Sequence, residues 1–355
     1  YFQAVINAAL GAAGVPPTAL DDAEAALGLA PGTFFAPGTG SFEQFAHRDD
    51  SISVFTQLDY ELTDNLTLTG GLNFTSDKKK VELSSRLAPD AFSNADFSGL
   101  PGALPLLAAL QFIPALVPLP NANETNRSSN QDLAWSIRAS WKPIPQLNIY
   151  AIAATGFKAA SWTLSRDSRV GSRFAKPEDT MLFEIGAKAR FDNLSINLAL
   201  FDQTIKNFQS TVSTGRGFAF LNADKQSSRG FELETNWQPV RGLSLVNSVT
   251  YLDALYDSFP NFMAGIDLSG QRPAGIPKWS ATSAATYDFT IGQWRAFVRG
   301  DYHYESKTRL QDNTGALART INEFNASMGV DFDNGFQLQL WARNLTNDKY
   351  YVGAT

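Results

Sequence analysis

Two carboxylates separated by one residue, Glu232 and Glu234, form the pair in this sequence that could act as general acid and general base. Residues two apart on a β-strand project from the same face, and polar and apolar types alternate around this pair. Both carboxylates therefore belong to a polar strand face beside water. We interpret them as the lining of that face rather than as a catalytic pair.

Other reactive constellations are missing from the sequence. It contains neither His-Glu-x-x-His nor Gly-x-Ser-x-Gly, and it has no P-loop and no EF-hand spacing. The only histidines, His47 and His303, lie far apart, and the absence of cysteine excludes disulfides and thiolate chemistry. The sequence therefore predicts no enzyme, no metal site and no cofactor. A hydrolytic enzyme is an alternative, but the sequence lacks the nucleophile constellation that it would need.

Composition narrows the possible partners. The net charge is −6, and the single basic run, Lys78-Lys79-Lys80, is interpreted as the solvated start of a loop. Nucleic acid is disfavoured as a partner, because phosphate backbones require concentrated Lys and Arg. Charged residues make up 18% and aromatic residues 12% of the chain, whereas average soluble proteins contain about 25% charged residues. These values indicate an aromatic-rich surface with few charges.

Period-two alternation dominates the chain, in segments of about ten residues, the length that a tilted strand needs to cross a bilayer. Between 65 and 74, leucine and phenylalanine occupy one face while asparagine and threonine occupy the other. The pattern predicts about twelve strands. They lie near 50–62, 65–76, 131–142, 146–157, 179–192, 193–207, 227–238, 243–256, 279–289, 293–305, 319–333 and 334–345.

The predicted connections alternate between tight turns and long loops. The tight turns fall near 63–64, 143–145, 192–193, 239–242, 291–292 and 333–335. The long loops are 77–130, 158–178, 208–226, 257–278 and 306–318. Outer-membrane barrels show this asymmetry, with short turns facing the periplasm and long loops facing outward.

The two strand faces differ in a way that favours a membrane. Aromatic residues such as Trp141 and Trp237 lie on the apolar face near the tight turns, where an interfacial girdle would lie. The opposite face is charged along its middle, as a wet lumen requires. The sequence therefore predicts an all-β fold, a transmembrane antiparallel β-barrel whose long extracellular loops contain short helices. A soluble β-sandwich or β-rich binding module alternates too, with its apolar face turned inward, and stays an alternative.

Two loop segments have their own character. Residues 98–120 are apolar, but Pro105, Pro114, Pro118 and Pro120 leave too short a run for a transmembrane helix. We expect this insertion to pack into the barrel mouth, against a neighbouring loop or against a partner. A short loop helix is predicted after Thr18, where Thr18 and Asp21 suggest a cap and Gly28 and Pro31 end the helix. Its shared face holds Leu20, Ala23, Ala26 and Leu27.

Several local motifs, in their order and spacing, resemble those of TonB-dependent outer-membrane receptors. They are Thr-Gly-Phe-Lys-Ala-Ala-Ser at 155–161, Lys-Pro-Glu at 176–178, Phe-Glu-Ile-Gly-Ala-Lys at 183–188, Ser-Arg-Gly-Phe-Glu-Leu-Glu at 228–234, Ile-Pro-Lys-Trp-Ser at 276–280 and Asn-Leu-Thr-Asn-Asp-Lys-Tyr-Tyr at 344–351. Ala160 departs from the proline that is usual in the family. The resemblance spans roughly 155–351, with compatible strands upstream.

The resemblance implies a bacterial outer-membrane barrel of about 22 strands with an N-terminal plug and a periplasmic box that contacts TonB. Residues 1–355 are then expected to be one part of that barrel, its strands 10 to 21, with the plug and the final strand outside this chain. Tyr1 carries no Met or secretory signal, which also suggests a missing or processed N-terminus.

The implied function is TonB-dependent uptake of a scarce substrate, most commonly a ferric siderophore or similar chelate, energised through the TonB-ExbB-ExbD system. Outer-membrane lipid and lipopolysaccharide would surround the barrel. The alternatives are a passive porin or surface-binding barrel without energy coupling, and uptake of an apolar organic substrate, suggested by residues 98–120.

Cations in the predicted outer loops are the candidate substrate contacts, because guanidinium groups bind anionic chelates in fixed geometry. They are Arg166, Arg169, Arg173, Arg216 and Arg272. The alternative for each is a solvated or lipopolysaccharide-facing charge.

Overall fold

The computed structural model describes residues 2–16, 18–97, 105–111, 122–163, 173–213, 218–260, 262, 266–312 and 317–352. Within them, strands β1 to β14 are Ser41–Thr63, Leu66–Leu87, Ala122–Ile144, Leu147–Lys158, Ser161–Trp162, Phe174–Ala175, Glu178–Arg190, Leu194–Ser213, Phe218–Trp237, Leu243–Ser258, Trp279–Ile291, Trp294–Arg309, Ala318–Asp331 and Gln337–Ala342. The helices are α1 (Phe2–Ala12), α2 (Ala19–Ala26) and α3 (Pro105–Leu110), with 3₁₀ turns at Thr33–Phe35 and Phe92–Asn94. No helix in these ranges combines the length and the apolar character that a bilayer span requires.

Twelve of the strands form one sheet in the order β1-β2-β3-β4-β7-β8-β9-β10-β11-β12-β13-β14, while β5 and β6 pair separately as a small hairpin. Each neighbouring pair is antiparallel, and the sheet is open, with β1 and β14 at its edges. All twelve predicted strands are confirmed. One end of the sheet carries the tight turns, which we call the turn end, and the other carries the long connections, which we call the loop end.

The outer boundaries of several strands were predicted wrongly. β2 and β3 stay paired as far as Ser85 opposite Ala122, so both ends of the predicted loop 77–130, residues 77–87 and 122–130, are strand. The run Lys78-Lys79-Lys80 therefore lies within a strand and does not begin a loop. β8 and β9 likewise remain paired to Ser213 opposite Phe218, inside the predicted loop 208–226. Beyond the apolar part of the sheet the outward residues are charged or polar, whereas Val81 and Leu83 of β2 are buried on the inward face. The alternation that marks the lipid-facing part is therefore reversed there.

The apolar face of the sheet is bare. Ile52 is 70% exposed, Leu58 is 73% exposed and, on the far edge, Leu340 is 60% exposed. In the described part of the chain no second sheet of comparable size covers this face. A soluble sandwich would bury these side chains, so the soluble alternative is wrong, and the apolar face is the surface that meets lipid.

The buried apolar core lies at the loop end, outside the sheet. We call it the loop-end cap, formed by residues 2–16, 18–35, 88–97 and 105–111. Its core side chains are Ile6, Leu10, Ala19, Leu20, Ala23, Phe34, Phe92, Phe97 and Leu107. The ring of Phe34 packs edge-on against Phe92 at 5.6 Å and against Phe97 at 5.8 Å between centroids. The segment before β1 and the connection after β2 therefore fold together.

Of the three packing sites expected for the apolar insertion, the described residues occupy one, a neighbouring loop segment. Leu107 is fully buried in the cap. Gln111 Nε2 donates hydrogen bonds to the carbonyl oxygens of Phe92 at 2.7 Å and Ala95 at 2.9 Å. The rest of 98–120 lies outside the described residues.

α2 begins at the predicted place, but its predicted cap and face are partly wrong. Thr18 Oγ1 donates to Asp22 Oδ2 at 3.0 Å and makes no capping bond to the backbone. Ala26 is exposed, whereas Glu24 is buried. The Glu24 carboxylate accepts hydrogen bonds from the backbone N–H groups of Gly32 and Phe34, which offsets the cost of burying it. α1 was not predicted.

Two glycines of the sequence motifs permit close strand contact. A Cβ at Gly230 would lie 2.0 Å from the carbonyl oxygen of Tyr251 and 3.0 Å from Phe201 Cζ. A Cβ at Gly186 would lie 2.4 Å from Tyr150 Cζ. The rings of Phe201 and Tyr150 thus lie across glycines on adjacent strands, and a larger residue has no space there.

The Gly230→Ala substitution should therefore impair barrel assembly, because its Cβ meets backbone rather than a mobile side chain. We expect a markedly smaller folded fraction, measured by heat-dependent gel mobility of outer-membrane fractions from the complete gene. Gly70→Ala is the control, since nothing lies within 4 Å of a Cβ at that position. Equal folded fractions for the two variants would contradict the packing argument.

Leu107→Ala should loosen the loop-end cap by about 2–5 kcal/mol, the usual effect of truncating a buried leucine. Limited proteolysis of intact cells should then cleave the cap more than about tenfold faster, because cleavage follows the open population. Val5→Ala, an exposed position on α1, should change the rate by less than about twofold. Equal protection of both variants would show that the core does not hold the cap closed.

Candidate functional site

The polar face of the sheet is lined by charges that compensate each other. Tyr150 lies between two cations, with Arg138 Cζ 5.4 Å and Lys188 Nζ 5.8 Å from its ring centroid. Its hydroxyl donates to Glu184 Oε1 at 2.8 Å. Such a surface suits contact with water or with a polar solute.

Glu232 and Glu234 both lie on this polar face, as predicted. Asn197 Nδ2 donates to Glu234 Oε2 at 3.3 Å. The carboxylates belong to the lining, and the described residues contain no group of three or more His, Cys, Asp or Glu side chains that could hold a metal ion.

A histidine and two carboxylates meet on the polar face near the loop end, which sequence reasoning missed. His303 pairs across strands with Thr282 on one side and with Glu323 on the other. His303 Nε2 lies 3.4 Å from Glu305 Oε1, and Arg319 donates to Glu305 Oε2 at 3.0 Å. We call His303, Glu305, Arg319 and Glu323 the histidine cluster.

The histidine cluster has the properties of a polar recognition surface. It combines the guanidinium donors of Arg319, the carboxylate acceptors of Glu305 and Glu323, and the imidazole of His303. Tyr350 Oη donates to Glu323 Oε2 at 3.2 Å and attaches the segment after β14 to the cluster. The charged period-two series from Arg295 to Glu305 was the available signal, but the partners on β13 could be found only from the register.

The Lys-Pro-Glu motif fixes the base of the connection after β4. Glu178 is buried, pairs with Lys158 Nζ at 3.1 Å and accepts a hydrogen bond from the Gln209 backbone N–H at 2.7 Å. Gln209 Nε2 donates to the carbonyl oxygens of Ala159 and Lys176, both at 2.9 Å. The motif at 155–161 is therefore joined to the motif at 176–178 directly, by the pair of Lys158 with Glu178, and through Gln209, which binds both.

A second anchor holds the connection after β10. Tyr256 packs with Phe259, Phe262 and Leu268, and its hydroxyl donates to Asp312 Oδ2 at 3.1 Å. Asp312 Oδ1 accepts from the backbone N–H of Ala274 at 2.7 Å. Burial, followed by the negative charge of Asp312, raises the pKa of the Tyr256 hydroxyl, so it stays a donor at physiological pH.

Two of the five candidate cations lie in the described structure, and both are paired. Arg173 Nε lies 3.5 Å from Glu124 Oε2. Arg272 donates to Asp253 Oδ1 at 2.5 Å and to the Leu252 carbonyl at 2.7 Å. The register places Asp253 on the same outward face as Tyr251, away from the polar face. Substrate contact by these residues stays a prediction, and Arg166, Arg169 and Arg216 lie outside the described residues.

Similarity to known proteins agrees with this architecture. The pesticin receptor of Yersinia pestis is 17% identical over 308 residues, which cover 85% of this chain and 40% of the receptor. The vitamin B12 transporter BtuB of Photobacterium profundum is 24% identical over 76% of this chain and 42% of that protein. The chain thus spans less than half the length of these relatives, which are receptors and transporters rather than enzymes.

The solved structures point to the same fold. The ferric yersiniabactin uptake receptor FyuA of Yersinia pestis superposes with a TM-score of 0.68 at 14% identity, covering 87% of this chain and 42% of that one. The family described as “TonB dependent receptor-like, beta-barrel” matches residues 15–345. With its bare apolar face, its charged inner face and its turn and loop ends, the chain belongs to this family of outer-membrane β-barrels.

Proposed function

We propose that this chain forms part of the wall of a receptor that takes up a scarce solute across the bacterial outer membrane. The observation that carries the proposal is the segregation of the sheet's two faces. One face exposes apolar side chains to lipid, and the other presents a compensated polar lining that leads to the loop end. A solute captured at the loop end would move along the polar lining.

Energy coupling is the second part of the proposal. Family membership supports a plug that is moved through the TonB-ExbB-ExbD system, with the plug and the closing strand in segments other than residues 1–355. A passive porin or a surface-binding barrel without coupling would use the same wall. The two mechanisms differ in whether uptake requires the proton gradient.

A ferric siderophore or a similar anionic chelate is the substrate class that we favour. Similar proteins include the ferric yersiniabactin uptake receptor, and Arg319 in the histidine cluster offers a guanidinium beside the polar lining. The five loop cations are further candidate contacts. The apolar insertion gives little support to an apolar substrate, because its described residues are used in the core of the loop-end cap.

Uptake of labelled ferric chelates by cells that carry the complete gene tests the proposal. We expect accumulation that stops when a protonophore collapses the proton gradient or when TonB is deleted. Uptake that persists after both treatments would identify a passive pore. A gene deletion supplies the background rate, and cells with the folded receptor but no uptake of any chelate or cobalamin would contradict a transport role.

The histidine cluster predicts a specific loss of affinity. Arg319→Gln should weaken binding of an anionic chelate about tenfold, the effect expected from losing one charge-assisted contact. Arg241→Gln is the matched control, because Arg241 is exposed in a tight turn at the turn end. Equilibrium binding to purified receptor measures both, and equal affinities would remove the cluster from the binding site.

A further inference from the structure

Three cations form one row on the outward face of β1 to β3, just beyond the apolar face. Arg48 lies opposite Lys80, and Lys80 lies opposite Arg127 on the next strand. Directly opposed residues bring their Cβ atoms to about 5 Å, and like charges at this spacing destabilise a sheet. We call Arg48, Lys80 and Arg127 the cation row. The row needs negative charge nearby.

The chain supplies only part of that negative charge. Arg48 pairs with Asp50 at 2.9 Å, and Lys80 pairs with Glu82. Lys78 lies on the next outward row, opposite Asp50. Within the described ranges, no carboxylate forms an ion pair with Lys78 or Arg127. Positive charge is therefore in excess on this outward surface.

The inward side of the same strands shows the opposite balance. Lys79 points inward, where its ammonium lies 2.6 Å from Asp77 Oδ1 and 3.4 Å from Asp49 Oδ2. Its side chain is 12% exposed. One inward cation is thus close to two carboxylates. On the outward side, by contrast, the cations outnumber the carboxylates beside them. An external anion is required only on the outward side.

The location of the cation row identifies the kind of anion. The row lies on the loop-end side of the exposed residues Val54, Phe74 and Leu133, which pair with one another across β1 to β3. A hollow of about 520 Å³ is lined by the row together with Lys78, Lys79, Asp50, Ser128 and Ser129, all of them charged or polar. The exposed apolar surface begins next to it on the turn-end side, at Ile52, and continues to Val54, Phe74 and Leu133.

We propose that the cation row binds the phosphates of an outer-leaflet lipid, the lipid A part of lipopolysaccharide, whose acyl chains lie along Val54, Phe74 and Leu133. Arginine and lysine bind phosphate oxygens through charge-assisted hydrogen bonds. A free anion would use the cations but would leave the adjoining apolar surface unused. The lipid satisfies both parts of the surface and relieves the repulsion within the row.

Native mass spectrometry of the complete receptor in detergent, titrated with bisphosphorylated lipid A, tests the proposal. The double variant Lys80→Gln/Arg127→Gln should bind at least about tenfold more weakly than the unmodified receptor. The control Lys142→Gln/Arg241→Gln removes two exposed cations at the turn end and should leave binding unchanged. Heat-dependent gel mobility verifies that both variants are folded.

Two further ligands separate the headgroup from other sources of affinity. Lipid A without its phosphates should bind the unmodified receptor no better than bisphosphorylated lipid A binds the double variant. Inorganic phosphate at the lipid concentration should not displace lipid A. Unchanged binding by the double variant, or equal binding of the dephosphorylated lipid, would overturn the proposal. Displacement by inorganic phosphate would instead reveal a free-anion site and would also overturn it.

Discussion

A backbone that crosses hydrocarbon must satisfy every N–H and C=O group within the protein, because the bilayer offers no water to bind them. In this chain continuous antiparallel pairing from β1 to β14 meets that requirement for the interior strands, while the outer edges of β1 and β14 have no partner strand within the described residues. Pairing fixes the register, and the register sends alternate residues to opposite faces. The bare apolar face, the polar lining and the grouping of the loops at one end all follow from it.

Charge is distributed according to the same alternation. Inward charges lie close together, as Arg138, Lys188 and Glu184 do around Tyr150, and Lys79 pairs with Asp77. Outward charges occur where the apolar surface ends, and there they can meet lipid headgroups. The loop end is built differently, from a small core of aromatic and aliphatic residues in the loop-end cap and from carboxylate anchors such as Glu178. The connections therefore have their own stabilising contacts and do not depend on the sheet alone.

Alternation in the sequence predicted the strands well because lipid on one side and polar groups on the other select opposite residue types. It failed for the outer parts of β2 and β3, where the outward residues become charged or polar and the apolar Val81 and Leu83 lie on the inward face, so the lipid-facing pattern no longer holds. α1 was missed because it has no acidic first turn and no basic last turn. The burial of Glu24 and the meeting of His303 with Glu323 depend on partners that tertiary structure alone brings close. Arg166, Arg169 and Arg216 lie outside the described residues, so their role as substrate contacts stays a prediction.

The long pairing of β2 with β3 also has a mechanical consequence. From Ser76 to Ser85 the two strands, together with β1 on the other side of β2, continue as a three-stranded hydrogen-bonded extension for about 30 Å beyond the apolar surface, and α3 of the loop-end cap lies in the connection between β2 and β3. A force applied to the cap along the strands would load all of these hydrogen bonds together in shear. The extension is therefore stiff in tension, and the loop-end cap is carried on three paired strands rather than on flexible connections.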